Sequence, residues 1–313
     1  MSDFVIIPDA SSDLTKDLRE RFHIPGYVPG TVYFPDGSEH VADLDWELMD
    51  PKTYYESMSG RNALYKTASA RRVDIITTYE KFLEAGKDIL AITLSSGLSG
   101  TNQVCKKVAE EMLEKYPQRK IIVIDSLRYS TALSLLVLMA SQKQQEGATL
   151  EETAAYVEAN KHRVHQIGPM DDMFFLVKTG RVSNFKAFFG TLIGINPMAD
   201  FNRKGLSQVL GKFKGKKRAF DAVIEYMKGT VENPEEQIMF VAHSNREQAA
   251  EVLAQRVRDT FHPKEVIINH VGLSCGASVG PGLCAVFYQG KEISEGLVKE
   301  QALMNEIIKN QKI

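Results

Sequence analysis

Three short apolar runs, residues 4–7, 89–94 and 121–124, constrain the fold most, because each leads into hydroxyl-bearing or acidic residues and then into a helical pattern. Strands that read as nearly continuous apolar runs and alternate with helices are the mark of βαβ units and a largely parallel sheet. Asp9, the segment from Ser95 to Ser99, and Asp125 then all fall after strand ends, where open α/β sheets bind ligands. Ser11-Ser12-Asp13 offers N-caps for a helix through Arg21, and Asp36-Gly37 marks a turn between extended segments. A long helix is predicted from near Tyr129 toward Gly147, and another over 150–164.

The second half changes character. Strands are predicted over 173–177, 198–201, 207–210, 237–242 and 266–271, with helices near 186–193, 217–228, 246–261 and 297–310. The turn Asn202-Arg-Lys-Gly205 points to an antiparallel pair, so the sheet here is mixed. The expectation is an α/β chain of two domains with a boundary near 163–169. Residues 1–165 would hold a largely parallel sheet flanked by helices, and 166–313 a mixed-sheet α/β domain.

Composition narrows the function classes. With 313 residues, 43% hydrophobic and 25% charged, the chain is long enough for two sizeable cores. A net charge of -2 supplies no global attraction to nucleic acid or anionic membrane. The dense basic run Lys212-Phe-Lys-Gly-Lys-Lys-Arg218 has no aromatic platform beside it and reads as a solvated face, with RNA or phosphate binding as the alternative. Cys105, Cys275 and Cys284 are an odd number without metal-type spacing, which reads as reduced thiols. The N-terminus lacks a basic and apolar leader, and the longest apolar run, 135–140, is too short to span a bilayer. A soluble, cytoplasmic protein without integral membrane association is expected.

The loop Ser95-Ser-Gly-Leu-Ser-Gly-Thr101 packs three serines, two glycines and a threonine between a strand and a helix. Unpaired amides and the positive end of the helix dipole at such a junction favour an anion, though a tight turn with an N-cap gives the same pattern. Walker A is excluded, since no Gly-Lys-Ser/Thr follows, and Gly97 and Gly100 lack the dinucleotide spacing. A carboxylate or small phosphate remains. Ser99 on this turn also resembles a nucleophile elbow, but Thr101 stands where the second glycine of that motif belongs. No histidine spacing identifies a base; His243, after a strand, is the best placed, and a lone histidine there is more often a local hydrogen-bonding residue. Lys66-Thr-Ala-Ser69 precedes a helix running to Leu83, so its hydroxyls either cap that helix or meet a ligand. Cys275-Gly-Ala-Ser-Val-Gly-Pro-Gly282 reads as a connecting loop whose glycines permit close backbone approach.

Together these segments resemble the DegV family of bacterial fatty-acid-binding proteins, which includes the lipid-binding subunit of fatty-acid kinase. The match runs in order through Asp9-Ala-Ser-Ser-Asp13, Lys66-Thr-Ala-Ser69, Ser95 to Thr101, Asp125-Ser126, Lys178-Thr-Gly-Arg-Val-Ser183, Ile195-Asn-Pro197 and Gly280-Pro-Gly282. The resemblance implies two α/β domains with a long-chain fatty acid in a buried tunnel between them. It further implies a carboxylate held by Thr67 and Ser99, with Ser69, Ser96, Gly97, Gly100, Thr101, Ser278 and Gly280 around the ligand. Phe174, Phe175, Phe185, Phe188, Phe189, Leu192 and Ile193 supply apolar side chains for the expected tunnel, although such a stripe is often simply core. The implied role is non-catalytic, without metal or cofactor, with a kinase subunit as a partner.

Two positions leave the family pattern. Ser278 stands where a histidine commonly precedes Gly-Pro-Gly, and Lys214 aligns with an arginine used near phosphoryl transfer, without its bidentate fork. Thr67-Ala68-Ser69 also lacks the usual Ser-Gln-Pro continuation, as in a divergent branch. The competing reading is a lipid-directed serine hydrolase or acyltransferase with Ser99 as nucleophile.

Overall fold

The computed structural model describes residues 3–183 and 195–311. The chain forms two compact units, one of Met1–Asp50, Leu64–Lys161 and Gly272–Cys275, the other of Pro51–Ala63, His162–Val271 and Gly276–Ile313. It opens with β1 (Phe4–Pro8), α1 (Lys16–Arg21), β2 (Gly30–Tyr33) and β3 (Glu39–Ala42). After α2 (Pro51–Met58), in the second unit, come β4 (Lys66–Ala68), α3 (Arg72–Glu84), β5 (Asp88–Thr93), α4 (Thr101–Lys115), β6 (Ile121–Asp125), α5 (Thr131–Gln145) and α6 (Leu150–Asn160). The second unit continues with β7 (Val164–Ile167), α7 (Phe174–Thr179), β8 (Val182–Ser183), β9 (Ile195–Phe201), β10 (Ser207–Lys214) and α8 (Lys216–Thr230). Then follow β11 (Ile238–His243), α9 (Glu247–Phe261), β12 (Glu265–His270), α10 (Leu273–Val279), β13 (Cys284–Gln289) and α11 (Val298–Asn310).

In the first unit β1, β5 and β6 form a parallel sheet in the order β1-β5-β6, with Ile6 beside Leu90 and Leu90 beside Ile122. The helices α3 and α4 pack their apolar faces on it, joining Ile75, Tyr79, Phe82, Cys105, Val108 and Met112 to Ile7, Ile89 and Ala91. On α5 every residue from Thr131 to Ser141 is buried, the pattern of a helix covered all round. A separate antiparallel sheet, β3-β2-β4, turns at Asp36-Gly37 as the sequence predicts and carries Thr67 opposite Val32.

The second unit is mixed, as expected. Its main sheet runs β12-β11-β13-β7, with β11 parallel to β12 and antiparallel to β13, and β13 antiparallel to β7. The Asn202–Gly205 turn joins β9 and β10 as an antiparallel pair, with β8 added parallel to β10. On β9 itself Asp200 is fully buried and saturated: it accepts from the amides of Gln166 and Phe201 at 2.9 and 2.7 Å and from Tyr226 Oη at 2.8 Å, and it meets His165 Nδ1 at 2.6 Å. A buried carboxylate persists only when its lone pairs are met in this way.

Several expectations fail for local reasons. Ser11-Ser12-Asp13 does not cap a helix: α1 begins at Lys16 after Thr15, without a side-chain cap, because Asp13 turns inward to accept from the Gly272 amide at 2.9 Å and from the Ser130 hydroxyl. The helix predicted over 150–164 ends at Asn160, and Val164 opens β7, whose backbone groups are claimed by β13. Of residues 173–177, predicted as a strand, 174–177 belong to α7 and Met173 is its N-cap; the helix closes on Gly180 in the left-handed region at φ 72°. Much of the presumed loop 275–282 is helical, as α10. The helix predicted near 186–193, and Phe185, Phe188, Phe189, Leu192 and Ile193, lie outside the described residues. Among the described residues no helix is long and apolar enough to cross a membrane.

Candidate functional site

The loop after β5 is braced from beneath by two acids at neighbouring strand ends. Asp9, after β1, accepts from the Leu94 amide at 2.7 Å and the Ser11 amide at 2.8 Å, while Asp125, ending β6, accepts from the Ser96 amide at 3.1 Å. Burial pushes the Asp9 carboxyl up from its ordinary value, and the two amides oppose that shift. The remaining amides of the loop turn inward too. Ser95 N donates to Arg128 O, Gly97 N to Ser95 Oγ, and Leu98 N and Ser99 N both to Ser95 O. The expectation that this stretch offers unpaired amides to an anion therefore fails from Leu94 to Ser99. Asp9, Asp125, Ser95 and the Arg128 carbonyl already hold them.

What the loop presents instead is hydroxyls. Ser99 Oγ lies 3.2 Å from Ser69 Oγ and 3.0 Å from Thr101 Oγ1, and it accepts from the Thr101 amide at 3.3 Å. Thr101 Oγ1 in turn accepts from the Ala70 amide at 3.2 Å. Ser69, Ser99 and Thr101 thus converge where α4 begins, and α4 has no side-chain N-cap to close its first turn. Gly100 stands against this group, since a Cβ there would lie 3.2 Å from Ser69 Oγ. Ser96 and Gly97 are on the exposed outside of the loop.

The segment 66–69 does not cap α3. Residues 66–68 are the strand β4, Ser69 follows it, and α3 starts after Arg71 without a side-chain cap. Pairing with β2 fixes the backbone of Thr67 two residues before Ser69; among the described residues the Thr67 hydroxyl has no hydrogen-bond partner. The ligand-facing reading of this segment thus keeps its donor, and the capping reading loses its helix.

Ser278 and Gly280 lie in the second unit. Ser278 is half-buried on α10, and Gly280, just after it, has φ 71° and donates from its amide to Gly276 O at 2.8 Å. A side chain at Gly280 would overlap the ring of buried Phe175, so this glycine is required by packing. Phe174, the other described aromatic of the expected tunnel lining, lies under the Arg61 guanidinium at 4.3 Å. Lys214 ends β10 and is exposed, and the basic run crosses from that strand through Gly215 into the first turn of α8.

Ser99 as a nucleophile finds little support. Its described partners are two hydroxyls and an amide, whereas a nucleophilic serine needs a base within hydrogen-bond reach. Sequence reasoning placed Asp9 and Asp125 at the ligand end of the sheet but did not see them as braces of the loop amides. The available signal was an acid directly after each flanking strand.

Comparison with known proteins agrees along the chain. The family model described as "Uncharacterised protein, DegV family" matches residues 3–291. A DegV domain-containing protein of Clostridium perfringens is 31% identical over 290 residues, covering 93% of this chain and 98% of that one. A DegV family protein from Thermus thermophilus, whose structure is described by its fatty-acid binding, has a TM-score of 0.81 at 25% identity, over 92% of this chain and 99% of that one. A DegV lipid-binding protein from Thermotoga maritima has a TM-score of 0.79 at 25% identity, over 93% and 99%. This chain belongs to the DegV family.

Proposed function

We propose that the protein binds a long-chain fatty acid in a buried tunnel, with the carboxylate at Thr67, Ser69, Ser99 and Thr101, and presents it to a separate fatty-acid kinase. The observation that carries this reading is the convergence of the Ser69, Ser99 and Thr101 hydroxyls at the uncapped start of α4. A headgroup with one negative charge suits a small set of hydroxyl donors and the positive end of a helix. The fatty-acid and lipid binding of the Thermus and Thermotoga relatives supports the same ligand class. Each buried methylene contributes about 0.8 kcal/mol, so a tail of about ten methylenes brings roughly 8 kcal/mol before ordering costs. Few polar contacts are then needed to fix the head.

The direct test is denaturing extraction of protein purified from a bacterial host, followed by mass spectrometry. A fatty acid near one per chain is expected. Recovery of a nucleotide at that ratio, or of no lipid after exposure to a panel of fatty acids, would sink the proposal.

A further inference from the structure

Adjacent parallel strands in register end side by side, and β11 and β12 end on His243 and His270, which are register partners. The two imidazoles stand with ring centroids 4.3 Å apart and planes at 60°. Glu247, the first residue of α9, lies one helical turn beyond His243 in sequence and faces the same point. One ligand atom from each of the three residues falls within 4.8 Å of the others, and among the described residues no other group of histidine, cysteine and carboxylate side chains does so.

The chemistry of the pair favours a metal. A neutral imidazole carries one ring nitrogen with a lone pair, the form in which histidine binds a metal. The nearby Arg246 guanidinium is engaged by Asp171 at 2.8 Å, which offsets its charge. The Arg246 amide meets His243 Nδ1 at a long 3.3 Å. Ligation through Nδ1 displaces that contact, and ligation through Nε2 moves the ring proton to Nδ1 and removes it equally.

We infer that His243, His270 and Glu247 bind a divalent transition-metal ion of the zinc class, with two imidazoles and one carboxylate as protein ligands and the remaining positions open to water or an anion. Zinc bonds of about 2.0–2.1 Å in a tetrahedral site bring ligand atoms to roughly 3.4 Å from one another. The exposed Glu247 side chain can turn to close that gap. Nitrogen and carboxylate ligands suit zinc, cobalt or nickel better than magnesium or calcium, which prefer oxygen alone. The assignment does not depend on the fatty-acid proposal, since all three ligands lie within the second unit.

The test titrates full-length, chelator-treated protein with Zn2+ by calorimetry and with Co2+ by visible absorption, alongside His270→Ala and Glu247→Gln. These two positions avoid the fully buried His243, and circular dichroism confirms that each variant folds. Saturable 1:1 binding is expected, with the d–d absorption of low-symmetry Co2+. His270→Ala should weaken Zn2+ by more than the roughly 10–100-fold that loss of an outer-shell partner causes. Affinity for Zn2+ unchanged in His270→Ala, or weak uptake that does not saturate in the natural chain, would overturn the assignment and leave the pair as a packed, neutral histidine contact.

Discussion

Replacing Ser99 with alanine removes the hydroxyl at the centre of the loop cluster. In the protein alone its contacts are with neutral partners, Ser69 Oγ at 3.2 Å, Thr101 Oγ1 at 3.0 Å and the Thr101 amide at 3.3 Å. All three are partly open, so water replaces much of what is lost, and the change should cost at most about 1 kcal/mol of stability. A hydrogen bond to a carboxylate is stronger, at about 1.5–3 kcal/mol. Ser99→Ala should therefore raise the dissociation constant for a long-chain fatty acid by about 10–150-fold. The assay is displacement of a fluorescent fatty acid from delipidated protein by hexadecanoic acid and, separately, by its methyl ester. The ester keeps the tail but carries no charge, so its binding should change much less. Equal losses for acid and ester would show that the hydroxyl does not meet the carboxylate, and the cluster would then be a loop brace and nothing more.

Thr67→Ala should weaken acid binding to a similar degree while leaving stability within about 0.5 kcal/mol in urea unfolding, because the hydroxyl has no partner among the described residues. Gly280→Ala should cost about 2–5 kcal/mol, from the left-handed backbone at φ 71° and displacement of Phe175; a melting temperature equal to the natural chain's would refute that account. Burial raises the Asp13 carboxyl from 3.8 to about 7, so between those values the folded state holds a proton that the unfolded state has released. Its contribution therefore falls as pH rises through that window, by up to about 1.4 kcal/mol per pH unit, and Asp13→Asn should flatten the slope in pH-dependent unfolding. Lys214 attracts phosphate only as a point charge, so acyl-phosphate formation with a kinase subunit should speed up in Lys214→Arg and slow in Lys214→Ala; an unchanged rate in the alanine variant would return the basic run to a solvated face.

The parallel core was legible because buried strands such as Asp88–Thr93 read as unbroken apolar runs, and because each was followed by a long helix. The segment 173–177 was not, since five apolar residues in a row carry no period that separates a strand from one buried turn of helix. The missed clue was Gly180, two residues after Lys178, where a glycine closes a helix. Within the site, Ser99 and Thr101 could be joined on sequence because they stand two positions apart, with only Gly100 between them. Ser69 stands thirty positions away in sequence and enters only through the tertiary fold, which brings its Oγ to 3.2 Å from Ser99 Oγ. His243 and His270 are likewise joined only by strand register, which no spacing rule reveals.

The inward turn of the loop amides bears on which headgroups the loop can tell apart. A nest of outward amides can only donate, and so it rewards anions with many acceptor oxygens, phosphates above all. Here Asp9, Asp125 and Ser95 hold most of those donors, and an incoming group meets serine and threonine oxygens, which donate and accept alike. Such a surface answers an ionised headgroup by turning its hydrogens outward and a protonated one by turning them back. Under the proposed function, selectivity would then lie in shape and in the tail behind the headgroup, and a change of protonation at the head would be met without moving the backbone.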